Sequence, residues 1–421
     1  MASIVILIYI AASYLRPFDA PGIQLFRPML LLGFFATMAA IVGALAGRFT
    51  FRAPQFYLGL GLIASVAMSL MFQHWFGGAL HAVLLLQSSI GVFYLVGCGL
   101  HSFGALRAAA AVLVLSALYM SVEAIAAYHY GYDAQELILE ETTANDTVVY
   151  RARGRGFLQD PNDLAQQLLT SLPFLWLAWK RSNHVRNLVM VLLPASILIY
   201  GAYLTRSRGG AITLMVLCLL GVRRSVGKVA RNAIGVALFA FLPAIQIAGR
   251  SMSVDASARG RVEAWSAGLQ MLRTSPIFGA GFGFFTMHHE RTAHNSFVLA
   301  FSELGLFGYF FWTGLLLVSI SELKTIDALP GKDATEVELK RWAAIIKTTL
   351  YSFMAAALFL SRTYIMTLYL LLGLVVVLME IARKARKPVF RIQWSNFCGR
   401  VLGFDLASIA VVYVFIRLGF R

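Results

Sequence analysis

Charge is what this sequence has least of. Only 13% of its 421 residues are Asp, Glu, Lys or Arg, against about 25% in a soluble domain. Hydrophobic residues make up 59%, and the mean hydropathy is +0.73. A water-soluble globular domain is excluded. Cysteine is nearly absent: Cys98, Cys218 and Cys398 show neither metal-ligand nor redox spacing, which excludes a thiolate centre or a disulfide framework. Acids are outnumbered 20 to 36 by Lys and Arg, giving a net charge of +16. No basic run is interleaved with stacking aromatics, so a nucleic-acid groove does not account for that charge. The N-terminal apolar run lacks a basic start and a small-residue cleavage site, so Ser3–Leu15 is taken as a short first span rather than a signal peptide. No internal repeat of the transporter kind is present.

What remains is grease in helix-length pieces. Apolar runs follow near 28–47, 55–72, 79–100, 107–127, 163–179, 187–204, 208–222, 231–248, 296–320, 342–360 and 363–380. Backbone amides in lipid must bond internally, so these runs predict an all-α polytopic membrane protein of about twelve transmembrane helices, a single integral membrane domain over 1–421. Residues 392–421, with Asp405 and Arg417, form either an interfacial helix or a further span. Two longer periplasmic loops containing short helices are expected, 128–161 and 249–295. Lysines gather in one set of loops, which places that set and both termini in the cytoplasm. The opposite loops contain arginine and no lysine: Arg16, Arg27, Arg151, Arg153, Arg155, Arg206, Arg208, Arg250, Arg259, Arg261, Arg273, Arg291 and Arg362. A planar guanidinium fork suits phosphate or diphosphate better than an ammonium does.

Polar chemistry is concentrated in four places. Thr205-Arg206-Ser207-Arg208-Gly209-Gly210 stands between two apolar runs, with the arginines at or below the outer interface. At that depth they need an anion or a wet cavity, and the glycines let a ligand approach the backbone; snorkelling to headgroups is the alternative. In Arg259-Gly260-Arg261-Val262-Glu263-Ala264-Trp265 the spacing of Val262, Trp265, Leu269 and Leu272 predicts an amphipathic helix, with both arginines at its anion-favouring start. Gly279-Ala280-Gly281-Phe282-Gly283 reads as a flexible turn, because no strand precedes it. His289 and His294 are spaced i, i+5, about 140° apart on a helix, which excludes a helical zinc pair. His294 instead directly precedes a helix that Asn295 or Ser296 caps, where the dipole keeps the imidazole neutral and fit to act as a base. Glu303 lies two turns further on, at a depth where ionisable residues are functional candidates, and an arginine partner across the bundle is one role for it. Asp160-Pro161-Asn162-Asp163 reads chiefly as a helix start, with Asp160 as cap, and Arg155 just before it.

Ser207-Arg208-Gly209-Gly210, Gly260-Arg261-Val262-Glu263-Ala264-Trp265, Pro276-Ile277-Phe278-Gly279-Ala280-Gly281 and His294-Asn295-Ser296 with Glu303-Leu304-Gly305 resemble, in this order, the O-antigen ligase family and its polymerase relatives. The resemblance implies a glycosyltransferase of the bacterial inner membrane. It would act at the periplasmic face, moving a glycan from undecaprenyl diphosphate to an acceptor hydroxyl such as a lipid A-core sugar. It implies an inverting, metal-independent reaction with no cofactor and no nucleic-acid partner. The essential His maps to His294, and the diphosphate-binding arginines to Arg208 and Arg261, with Arg206 and Arg259 beside them. Arg155, Asp160, Asn295 and Glu303 are supporting candidates from the residues alone. A polysaccharide polymerase and a protein O-oligosaccharyltransferase are alternatives within the superfamily. A lipid-linked glycan flippase is the alternative of another class.

Overall fold

The computed structural model describes residues 2–19, 27–43, 52–142, 147–222 and 254–419. The longer helices, in chain order, are α1 (Ala2–Leu15), α2 (Pro28–Gly43), α3 (Pro54–Met71), α4 (Phe76–Leu85), α5 (Ile90–Gly99), α6 (Phe103–Tyr130), α7 (Pro161–Leu175), α8 (His184–Leu204), α9 (Arg208–Val222), α10 (Val254–Thr274), α11 (Ser296–Asp327), α12 (Ala334–Ala357), α13 (Met366–Lys384) and α14 (Trp394–Gly419), with single turns at Ala134–Leu137 and Phe285–His288. Six described helices are long and apolar enough to cross a membrane, or seven if the bent pair Phe76–Ser88 and Ile90–Gly99 is one span. The span expected at 231–248 lies outside the described residues. The protein is thus mostly helical, as a polytopic membrane protein must be. One short exception escaped the sequence reading. Strands β1 (Ile138–Thr142) and β2 (Val148–Ala152) pair antiparallel with Leu139 opposite Arg151. They are too few and too charged to announce themselves by alternation.

The chain divides into two compact units, each assembled from separate stretches: 1–43, 99–253 and 345–356 in the first, 44–98, 254–344 and 357–421 in the second. In the first unit, α6 packs against α1, α7 and α8. Ser102 caps its start by accepting from the Ala105 N–H at 3.2 Å, and Gly131 ends it at φ 71. A Cβ on Gly201 would stand 2.1 Å from the Ser121 hydroxyl oxygen, so only glycine lets α8 lie so close to α6. In α7, Asp160 caps and Pro161 takes the first turn, as the sequence predicts.

The second unit is built around α13, whose apolar window is 94% buried. Helix α3 lies along α11, with the Gln55 side-chain amide donating to Glu322 and, at 3.4 Å, to Ser319. Helix α11 is not the single straight span that 296–320 predicts. Gly305 stands at φ 63, ψ −169 and divides it into arms 296–304 and 306–327. Phe301 and Tyr309 flank the break with ring centroids 5.7 Å apart, and Phe297 and Trp312 approach to 5.1 Å. A straight helix would separate these pairs by about 12 Å and about 22 Å along its axis. The first arm therefore folds back toward the second.

Helix α14 runs antiparallel to the second arm. Thr313 donates to Asp405 at 2.7 Å, the Tyr309 and Ser408 hydroxyls share a bond of 2.8 Å, and α14 ends beside α10 with Trp265 and Phe415 rings 5.2 Å apart. The end of α14 thus lies on the same side as α10. Helix α14 is itself long and apolar enough to cross a membrane, one of the two roles expected for 392–421.

Candidate active site

Two helix starts carry four of the nine candidate residues: Arg206 and Arg208 at one, His294 and Asn295 at the other. In the first unit α8 ends at Thr205, and Arg206 follows with a left-handed φ of 51. Ser207 then caps α9: its hydroxyl oxygen accepts from the Gly210 N–H at 3.0 Å and donates to Asn162 at 2.7 Å. That second bond fixes the start of α9 to the start of α7, beside the cap residue Asp160, whose carboxylate accepts from the Asn162 N–H at 2.7 Å. At Gly210 a Cβ would stand 2.9 Å from that of Ala165, so this glycine lets α9 pack closely on α7. The Arg206 guanidinium is exposed and donates to the Tyr128 hydroxyl at 3.3 Å, while Arg208 is half-buried in the first turn of α9.

Arg155, in the same unit, is held by Asp133 at 2.6 Å, Glu136 at 2.6 Å and Glu123 at 3.3 Å. Burial works against its charge, but the bond to Asp133 and the charges of Glu123, Glu136 and Asp133 outweigh it and raise its pKa. Arg151 likewise joins Glu141 at 3.1 Å to the Thr205 carbonyl at 3.1 Å. Carboxylates between Glu123 and Glu141 thus occupy two of the arginines that sequence alone set on an open outer face.

In the second unit His294 stands at φ 47 immediately before α11. Asn295, 3% exposed, is the cap: its side-chain oxygen accepts from Phe297 N–H at 2.9 Å and Val298 N–H at 3.2 Å. The loop after α12 clasps this start. Ser296 donates to the Leu360 carbonyl at 2.6 Å and accepts from the Arg362 N–H at 2.7 Å. Thr363 donates to the Ser296 carbonyl at 2.8 Å, and Ser361 to Thr292 at 3.1 Å. On the other flank the Trp265 indole donates to the Ala293 carbonyl at 3.0 Å. Arg261 lies over the Phe359 ring at 5.8 Å, so the loop that clasps the His294 segment also carries the Arg261 side chain. Arg362 enters this setting unforeseen. Its only sequence signal was membership of the lysine-free loops.

Helix α10 begins earlier than expected. It is already helical at Val254, so Arg259 and Arg261 stand inside it rather than at its first amides. The Ala256-Ser257-Ala258 run extends it, since these residues cost a helix little. The Arg259 side chain lies outside the described part. Val262, Leu269 and Leu272 are buried, as their spacing predicts.

Glu303 is 3% exposed and accepts from the Tyr364 hydroxyl at 3.1 Å, the Phe285 N–H at 3.4 Å and the Gly283 N–H. No arginine pairs with it among the described residues, and its bonds hold the Gly279–Gly283 turn instead. That turn repairs the break in α11. Ala280 and Gly281 N–H groups bond the Ser302 and Glu303 carbonyls at 2.9 and 3.1 Å. Leu306 and Phe307 N–H groups bond the Pro276 and Ile277 carbonyls at 2.8 and 3.0 Å. The backbones cross so closely that a Cβ on Gly279 would stand 2.3 Å from the Glu303 carbonyl oxygen, and one on Gly305 2.3 Å from that of Ile277. A buried helix break leaves orphan amides and carbonyls, and this crossing satisfies them.

Arg206, Arg208, Arg155 and Asp160 belong to the first unit; Arg259, Arg261, His294, Asn295 and Glu303 belong to the second. Compared with known proteins, residues 193–313 match a family model described as O-Antigen ligase. The match begins within α8, takes in both helix starts and ends in the second arm of α11. No curated protein matches the chain. By that similarity residues 193–313, under a third of the chain, are placed beside the O-antigen ligase family.

Proposed function

From that placement we propose that the protein transfers a glycan from undecaprenyl diphosphate to an acceptor hydroxyl, a lipid A-core sugar, at the periplasmic face of a bacterial inner membrane. The observation that carries the reading is the helix start at His294, within the matched span. An imidazole there stands on left-handed backbone, is followed by the Asn295 cap and is clasped by the loop whose Phe359 ring lies under the Arg261 guanidinium of α10. The positive end of α11 disfavours a proton on that ring, which suits a base. In the proposed step the acceptor oxygen bonds the anomeric carbon while the bond from that carbon to the diphosphate breaks. His294 takes the acceptor proton, and Arg208 and Arg261 stabilise the charge that gathers on the leaving lipid diphosphate. The leaving group is already activated.

The test supplies purified protein in detergent with lipid-linked glycan and acceptor. His294→Ala should lower transfer by about 10²–10⁴-fold while donor binding persists. Arg208→Ala and Arg261→Ala should weaken donor binding or turnover. Normal turnover by the His294 variant removes the base; unchanged kinetics in both arginine variants remove the clamp. Product formed without sealed vesicles separates a transferase from a flippase.

A further inference from the structure

A groove of about 930 Å³ lies between α10 and α14, within the second unit. One wall is the stripe Ser266, Leu269, Gln270 and Arg273 of α10, spaced to fall on a single helix face. The other wall is the last turns of α14, where Val414 and Leu418 are apolar and Arg417 is polar. Arg417 is preorganised: its Nε donates to the Tyr413 hydroxyl at 3.1 Å, and its guanidinium lies 5.4 Å from that ring's centroid. No acid lines the groove among the described residues. Neither Arg273 nor Arg417 is in an ion pair with a carboxylate among the described residues. Only 22% of the apolar window of α14 is buried, and Val411, Val414 and Leu418 are exposed along it.

We infer that this groove binds an anionic phospholipid of the surrounding bilayer, its phosphate between Arg273 and Arg417 and its acyl chains along the exposed face of α14. Charge complementarity selects the sign of the headgroup, since two guanidiniums meet there without an acid, and basic pockets beside membrane helices take anionic headgroups. The open apolar flank selects a lipid over a free phosphate, because a soluble anion would leave that flank uncovered. Bilayer phospholipid is favoured over the scarce polyprenyl donor by mass action. The bound lipid would also brace Trp265, whose ring packs on Phe415 and whose indole N–H holds the Ala293 carbonyl next to His294.

The full chain is reconstituted in nanodiscs with phosphatidylglycerol and phosphatidylcholine, released, and its retained lipids are counted by native mass spectrometry. The wild type should retain phosphatidylglycerol preferentially. Each arginine contributes roughly fivefold, so Arg273→Gln with Arg417→Gln should reduce that retention by roughly 25-fold. Lysine at both positions should restore part of it, which distinguishes lost charge from lost fold. Equal retention of both lipids, or full retention by the double Gln variant, overturns the inference. Displacement of phosphatidylglycerol by stoichiometric undecaprenyl diphosphate also overturns it, because the groove would then be a donor site.

Discussion

The starts of α9 and α11 are built by one device and put to different uses. Each has a non-glycine residue in left-handed conformation, Arg206 at φ 51 and His294 at φ 47. Each is followed by a polar cap, Ser207 or Asn295, and each is tied to a neighbouring segment by side-chain hydrogen bonds. One start presents guanidiniums and the other an imidazole. They part company further along. Helix α9 is held by a glycine packed against α7, whereas α11 breaks within three turns and is repaired by the Gly279–Gly283 turn. Left-handed backbone on an ordinary residue costs about 1–2 kcal/mol, and such strain tends to be kept where a side chain must be aimed. The same conformation recurs at Arg16, Arg27, His74, Asp133 and Arg386, so it is the differing support that sets the two starts apart.

The largest effect should come from the element that one start has and the other lacks. Gly305→Ala or Gly279→Ala forces a Cβ onto a backbone carbonyl, so either should cost on the order of 3 kcal/mol or more in a detergent melting experiment. Gly210→Ala, against a side-chain methyl, should cost less. Equal losses at all three positions would mean that the crossing is not special.

Next come the caps. Asn295→Ala should lose about 1 kcal/mol, with Ser207→Ala close behind it.

Subtler still are substitutions that relieve strain. Arg206→Gly and His294→Gly should leave melting temperature unchanged or raise stability by about 0.5 kcal/mol, while His294→Gly loses transfer. A drop in both stabilities would show that the left-handed turns are not strained, and the comparison would fail.

The smallest effect lies away from both starts, at Lys387 with Asp333 and Glu336. The bond from Lys387 lowers the Asp333 pKa, and the Lys332 N–H followed by Lys387 lowers that of Glu336, from ordinary values of 3.8 and 4.5. Depressed carboxylates stabilise above their unfolded values and lose that contribution as pH falls through the folded ones. The contribution of this cluster, read as the difference in melting temperature between wild type and Lys387→Met, should therefore hold from neutral pH to about pH 5 and fall away below about pH 4.

Caps and helix starts were legible in the sequence because they are local: Asp160-Pro161 and His294-Asn295-Ser296 contain their own instructions. Spacing likewise gave the buried face of α10. The break at Gly305 was not legible, since the apolar run from 296 to 320 is continuous and periodicity does not register one glycine. Its reason lies in Gly279, far back along the chain, whose backbone crosses it. Arg155 misled for the same kind of reason. Its acids, Glu123 and Asp133, precede it by whole elements, so composition recorded a cation where the fold makes an ion cluster. Arg362 was concealed by its neighbours, being an outer-loop arginine with no motif until the loop closes on Ser296.

Helix α13, enclosed almost completely by its unit, has a consequence for biogenesis. More than three hundred and sixty residues leave the ribosome before it does; α3 and the second arm of α11 can already pair through Gln55 and Glu322, while α5, whose Val96 lies against Gly373, gains that neighbour only when α13 arrives.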